Sequence, residues 1–485
     1  MLHSLLLWPI CPPPSVPPQD PTPNSCTQGN VNLEGQDFPY LLLEPEKVEA
    51  NKKYPLVLFL HGAGERGSDN RAQWKHFPER MAAEAYRKQF PCFLLAPQCP
   101  EEQTWVDVNW SDEKSTPFKA TPTPSMQAAI AALKEVVHSQ PVDLDRIYLT
   151  GLSMGGYGTW DLAMRHADWF AGAVTICGGG DENAIAKVAG LPLQVWHGAS
   201  DGVVPPARSR VMIEAAKALK MPIPYFELKG IGHDSWVDAY GEKGCLPWLF
   251  EQKRDPRKRQ QAAAKLLAAA IRPKERIAFL GDSITQSGNA RGGYVDQIRQ
   301  ILEKHTPASS IIPAGISGHK VPDLLKRVQR DVLDHKATLV FVYIGINDVW
   351  HSQQYTGTPA DEYESGLHTL IQQLKASGAT VVLATPSVIG EGPAGSNELD
   401  KLLHQYAQIS RQVAAKENVV LCDLNAAFRQ NLQIFRPTAK RNKDTAQDWA
   451  SGTLTSDGVH LNAAGNTLVA TEAAAALLQA VQRRQ

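Results

Sequence analysis

From about residue 38 the chain alternates short apolar runs with longer stretches in which apolar residues recur at helical spacing. YLLLEP, PLVLFLHG, PCFLLAPQ, DRIYLTG, AGAVTICGG, PLQVWHG and PYFELKG have strand length, and amphipathic segments such as MQAAIAALKEVVHS lie between several of them. Strands separated by helices imply crossover connections and a largely parallel sheet covered on both faces. The alternation pauses at 251–272, EQKRDPRKRQQAAAKLLAAAIR, which is basic, then Ala-rich, with no strand signal. That stretch predicts a helical connector holding two bodies at a semi-fixed distance. A second alternation follows in RIAFLGDS, SSIIPAG, TLVFVYIG, ATVVLATP and NVVLCD, with GYVDQIRQILEKH and ESGLHTLIQQLKAS as helices, and NAAGNTLVATEAAAALLQAVQ predicts a last helix capped at Asn462. The predicted class is α/β, with two three-layer αβα domains: a Pro-rich tail or signal-peptide remnant at 1–30, a first domain at 31–252, a helical linker at 253–272 and a second domain at 273–485.

A length of 485 residues agrees with this division, being too long for one ordinary core. A hydrophobic fraction of 43% and a charged fraction of 20% describe a globular chain, and a net charge of −1 argues against nucleic acid as the main partner. KRDPRKR reads as a solvated linker face. The seven cysteines are scattered without a CxxC, which points away from zinc sites and disulfide scaffolds but leaves a Cys92–Cys99 pairing open. Cys177 and Cys422 lie in strand-like runs and read as small buried hydrophobes. MLHSLLLWPIC lacks the basic region and cleavage site of a signal peptide, PPPSVPPQDPTPN is extended, and no segment is long enough to span a bilayer.

Two strand ends carry a serine. In IYLTGLSMGGYGTW, glycines flank Ser153 where a strand turns sharply into a helix, which leaves an exposed hydroxyl at the helix N-terminus. Serine needs a base and an orienting acid. ASDGVVP places Asp201, and IGHDSW places His233, each in a loop beyond a later strand. Backbone N–H groups of Ala63 or Gly64, in FLHGAGERG, can converge with that of Met154 on a developing oxyanion. His61 and His197, in HG dipeptides, read as loop-shaping residues. With APQCP and Trp105 added, residues 38–250 resemble the α/β-hydrolase superfamily, in its esterase, feruloyl-esterase-like and predicted-peptidase branch. The resemblance implies Ser153 as nucleophile, Asp201 as acid and His233 as base, and sets cleft lining by Trp105 and Glu65 or Arg66 against ordinary packing or loop salt bridges.

The second serine follows RIAFL in LGDSITQSG. PAGISGHK offers the N–H of Gly318, YIGIND the side-chain amide of Asn347, and with the N–H of Ser283 they make a three-donor oxyanion hole. TSDGVHLN spaces Asp457 three residues before His460, close enough for the carboxylate to hold the ring while its other nitrogen faces Ser283. Ser283, Gly318, Asn347 and His460 resemble in order the four named positions of the SGNH or GDSL hydrolase family over about 273–485, which implies a flavodoxin-like fold. Trp350, directly after GIND, is a candidate for stacking on a sugar, with a core position as the other reading. Asp107, Asp234 and Asp348 adjoin site elements and read either as groups that tune pKa values or as solvated loop carboxylates.

Two activated serines with oxyanion holes are equipment for acyl transfer to water, and they require no metal or cofactor. The combined resemblance is to tandem bacterial carbohydrate esterases. It implies a bifunctional serine esterase acting on an acylated polysaccharide or oligosaccharide, the second domain removing acetyl and the first acetyl or feruloyl-type groups. The other readings are a lipase, lysophospholipase or polyester-type esterase, or one active domain beside a non-catalytic binding domain. Polysaccharide substrates favour secretion or the periplasm. The oligomeric state leaves no signature in the pattern.

Overall fold

The computed structural model describes residues 26–115, 117–435 and 451–484. Its fold is a two-domain α/β architecture built on two sheets. The first takes β1 (Cys26–Leu33), β2 (Gln36–Leu43), β3 (Tyr54–Leu60), β4 (Phe93–Pro97), β5 (Val142–Leu152), β6 (Gly172–Ile176), β7 (Leu193–Gly198) and β8 (Tyr225–Leu228), in the order β1-β2-β4-β3-β5-β6-β7-β8. From β4 to β8 the pairing is parallel. Leu56, Leu58 and Leu60 of β3 enter one core while Val57 and Phe59 enter another, so side chains alternating along one strand serve both covered faces.

The second sheet is wholly parallel: β9 (Arg276–Gly281), β10 (Ser310–Gly315), β11 (Leu339–Tyr343), β12 (Thr380–Ala384) and β13 (Val420–Cys422), in the order β10-β9-β11-β12-β13. The chain leaves β9 toward one neighbour and later returns to the other. That reversal opens a crevice at the carboxyl ends of β9, β10 and β11, where open α/β sheets place their ligands. The last helix, Ala463–Gln482, starts at Asn462, whose side chain accepts the N–H groups of Ala464 and Gly465.

Three expectations change. The tail reading of 1–30 falls outside the described residues as far as 25, but Cys26–Asn30 belong to β1. This strand is mostly polar, and its place comes from antiparallel main-chain pairing with β2 across a turn in which Glu34 (φ 50°) and Gly35 (φ 87°) are both left-handed. The connector is not a spacer: helix Pro256–Ala270 buries Ala263, Ala264, Leu267 and Ala268 in the second core and packs on helix Ala463–Gln482. Cys92 and Cys99 are buried and free. They flank β4, whose extension at about 3.3 Å per residue carries them far beyond the Cα separation of a disulfide. Among the described residues no helix is long and apolar enough to cross a membrane.

Candidate active sites

β5 delivers Leu152 to a turn in which Ser153 is forced to φ 55°, ψ −120°, and helix Met154–Arg165 begins at the next residue. Only the flanking glycines permit this approach, since a Cβ on Gly155 would lie 1.8 Å from the Leu60 carbonyl oxygen and one on Gly151 2.3 Å from that of Gly155. β7 and β8 end beside β5 and β6, so their loops bring acid and base to the same edge. His233 Nε2 lies 2.9 Å from Ser153 Oγ, and His233 Nδ1 2.8 Å from Asp201 Oδ2. The proton therefore sits on Nδ1, facing the carboxylate, and Nε2 is free to accept from the serine.

Asp201 is buried, which by itself raises a carboxyl pKa. Hydrogen bonds from His197, His233 and the N–H groups of Val204 and Val203 outweigh that and hold it well below the usual range. His197 was not foreseen as a partner of the acid. Its Nε2 stands 3.3 Å from Asp201 Oδ2 and 3.0 Å from the Val204 carbonyl, and its Nδ1 2.7 Å from Ser209 Oγ, so it braces the carboxylate from the side away from His233. No sequence signal pointed to this, because β7 ends at Gly198 and the pairing depends on how its loop folds back. His61 does shape its loop, with Nδ1 2.6 Å from the Gly62 carbonyl and Nε2 accepting the Cys99 N–H at 3.0 Å; burial pushes the ring down to about 4.

Gly62 stands against Ser153, since a Cβ built on it would lie 3.5 Å from the serine Cβ. Ala63, half-buried, and Gly64, exposed, follow in a single 3-10 turn. Met154 opens its helix, so no helical carbonyl accepts its N–H. Trp105 does not line the cleft: it is 1% exposed, donates its indole N–H to the His61 carbonyl at 3.0 Å and packs edge-on to that ring. Arg66 donates to the Ala63 carbonyl and Glu65 pairs with His76, both within the loop framework.

In the second domain Gly281 pairs with both Gly315 and Tyr343, which puts the loops after β9, β10 and β11 at one level. Ser283 Oγ lies 3.0 Å from His460 Nε2, and His460 Nδ1 2.7 Å from Asp457 Oδ2. Asp457 Oδ1 accepts the N–H groups of Val459 and His460, so one tight turn holds both base and acid. Burial works to raise the Asp457 pKa, but the His460 ring and these N–H groups lower it overall. Gly318 adopts φ 77°, a left-handed conformation that favours glycine. Asn347 opens toward the same loop, one Nδ2 hydrogen going to the His319 carbonyl at 3.1 Å. Trp350, half-buried, meets the His460 ring edge-on at 6.5 Å.

Asp107 is exposed and paired with Lys119, and Asp234 is exposed. Asp348 is different, being fully buried with Oδ1 accepting the Val321 N–H at 3.1 Å. Together with Asn347 to His319, that bond fastens the GIND helix (Ile346–Trp350) to the loop carrying Gly318. Burial pushes the Asp348 carboxyl up to about 6. It pushes Asp282, which accepts the Ile284 N–H beside Ser283, up to about 7, with Asp348 adding to the rise.

Two serine–imidazole–carboxylate arrays at the carboxyl edges of two α/β sheets define a serine ester hydrolase. The model of the GDSL-like Lipase/Acylhydrolase family matches residues 279–468, and the chain belongs to that family. An acetylxylan esterase of Geobacillus stearothermophilus is 32% identical over 217 residues, 40% of this chain and 90% of that protein. Among solved structures, the acetyl xylan esterase AlAXEase is 38% identical with a TM-score of 0.38, covering 41% of this chain and 97% of that one. A thermostable esterase is 36% identical with a TM-score of 0.44; the match covers 48% of this chain and 64% of that one.

Proposed function

We propose that the chain is a bifunctional carbohydrate esterase in which both sites work: Ser283 releases acetyl groups from acylated poly- or oligosaccharides, and Ser153 releases acetyl or feruloyl-type groups. The observation that carries this reading is the formation of two complete hydrogen-bonded arrays on one chain. The named activity of the Geobacillus stearothermophilus relative supports the sugar-ester part.

At each site the imidazole Nε2 takes the serine proton as Oγ attacks the ester carbonyl carbon. The carbonyl oxygen becomes an oxyanion before the N–H groups of Ala63 or Gly64 and Met154 at the first site, and before those of Ser283, Gly318 and the Asn347 amide at the second. The imidazolium, held by Asp201 or Asp457, then protonates the departing sugar oxygen, leaving an acyl-serine. Water, activated by the same ring, returns the acid and the free serine. Polysaccharide substrates of this kind favour a protein that works at the cell exterior or in the periplasm.

The test is a panel of 4-nitrophenyl acetate, methyl ferulate and acetylated xylan on Ser153→Ala, Ser283→Ala and the double variant. Each single change should abolish turnover at its own site, by at least about 1,000-fold, and leave the other site active. The double variant should be inactive. If Ser283→Ala left acetyl release from sugar esters intact, the second site would not be the deacetylase. If all activity vanished with one serine, the other domain would be non-catalytic, and kcat/KM rising with acyl length would favour a lipase.

A further inference from the structure

Arg327, 5% exposed on helix Val321–Val328, uses its guanidinium to tie several elements together at the second site. Nη2 donates to the Gly281 carbonyl at 2.7 Å, and Nη1 to the Ala314 carbonyl at 2.9 Å and to Asp331 at 2.8 Å. Nε donates to His319 Nδ1 at 3.0 Å. A guanidinium has only donors and stays charged, so His319 Nδ1 can only be an acceptor. A neutral imidazole whose Nδ1 accepts carries its proton on Nε2. Burial and the Arg327 charge keep the ring neutral, against Asp323 and Asp331 and with Lys326.

The same residue is held at its backbone, where its carbonyl accepts from Asn347. Its Nδ1 edge faces the guanidinium that grips the ends of β9 and β10. His319 is half-buried, so part of the ring meets solvent, and no hydrogen bond joins its Nε2 to a described residue. His319 also directly follows Gly318, a donor of the oxyanion hole.

We propose that His319 is a specificity-determining donor of the second site, its Nε2–H presented in a fixed direction to a hydroxyl or ring oxygen of the sugar that bears the ester. The donor itself follows from Arg327; that its partner is a sugar oxygen rests on the sugar-ester reading of Ser283.

The experiment uses the full chain with Ser153→Ala, so that only the second site turns over. In the parent labelled with 15N-histidine, with His319→Gln to assign the signal, the ring should show a protonated Nε2 and an unprotonated Nδ1 at pH 7. A proton on Nδ1 would overturn the proposal. In kinetics, His319→Phe should lower kcat/KM for acetylated xylo-oligosaccharides about five- to tenfold, chiefly through KM, the effect of losing one hydrogen bond. The loss on 4-nitrophenyl acetate, which lacks sugar oxygens, should be several-fold smaller, and His319→Gln, which keeps a donor, should recover part of the sugar-ester activity. Equal losses on both esters would make His319 merely structural and end the proposal. A parent that cleaves the aryl acetate but no sugar acetate would overturn the sugar-ester reading and the ligand named here, while the spectrum separately decides whether the fixed donor exists.

Discussion

At the scale of single residues, Asp348 shows how a buried carboxylate positions groups it does not touch. Its bond to the Val321 N–H and the neighbouring Asn347 bond to His319 set the distance between Asn347 and the Gly318 loop, the two groups proposed as oxyanion donors. Asp348→Ala, by freeing the loop, should lower kcat at the second site by about tenfold or more, since small misplacements of such donors are costly. Asp348→Asn keeps an acceptor for Val321 and should stay within about threefold of the parent. The same variant tests the titration. A carboxyl raised from 3.8 to about 6 on folding favours the folded state below the unfolded value, and that contribution is lost as pH rises through the folded one. Denaturant unfolding should therefore show Asp348→Asn gaining on the parent by about 2 kcal/mol between pH 4 and pH 8, whereas a pH-independent difference would refute the burial effect. Ser153, Asp201, His233, Ser283, Asp457 and His460 were each legible in the sequence, because strand-to-loop position and chain order are local signals. His197, Arg327 and the burial of Asp348 were not, since each depends on contacts between segments distant along the chain.

At the scale of elements, the strand-to-helix turn at Ser153 is held by absent side chains. Gly155→Ala would place a methyl 1.8 Å from the Leu60 carbonyl oxygen, so β3 and helix Met154–Arg165 must separate. Ester turnover at the proposed first site should fall by about 100-fold or more with the proposed second site unaffected, as measured in a Ser283→Ala chain and a Ser153→Ala chain respectively. The central strands were visible as apolar runs because both sheet faces are covered there. β1 was missed because an edge strand can be held by main-chain pairing with few buried side chains. The Ala-rich connector was correctly read as helix, yet composition did not show that its small residues are what lets it pack closely on helix Ala463–Gln482.

At the scale of the whole molecule, the two domains are in contact as well as in series. Arg259 of the connector helix is 7% exposed, and pairs with Asp168 at 2.5 Å while also donating to the Ala189 carbonyl at 3.1 Å. Ile434 enters the core of the first domain, and Arg254 lies 3.9 Å over the Phe435 ring. A double-mutant cycle on Arg259→Ala and Asp168→Ala should give a coupling of about 1–3 kcal/mol, read from the unfolding of the first domain. A coupling near zero would mean that the domains are held by the other contacts alone.

By itself the sequence determined the α/β class, the strands that end at both serines, and the Ser, Asp and His of each array, because these follow from periodicity, glycine-bearing turns and chain order. Only the tertiary structure decided that Trp105 belongs to a core, that His197 braces Asp201, that Arg327 sets the His319 tautomer, and that the connector binds the domains to one another. Those outcomes depend on which side chains meet across sheets and helices, and a one-dimensional pattern does not encode such meetings.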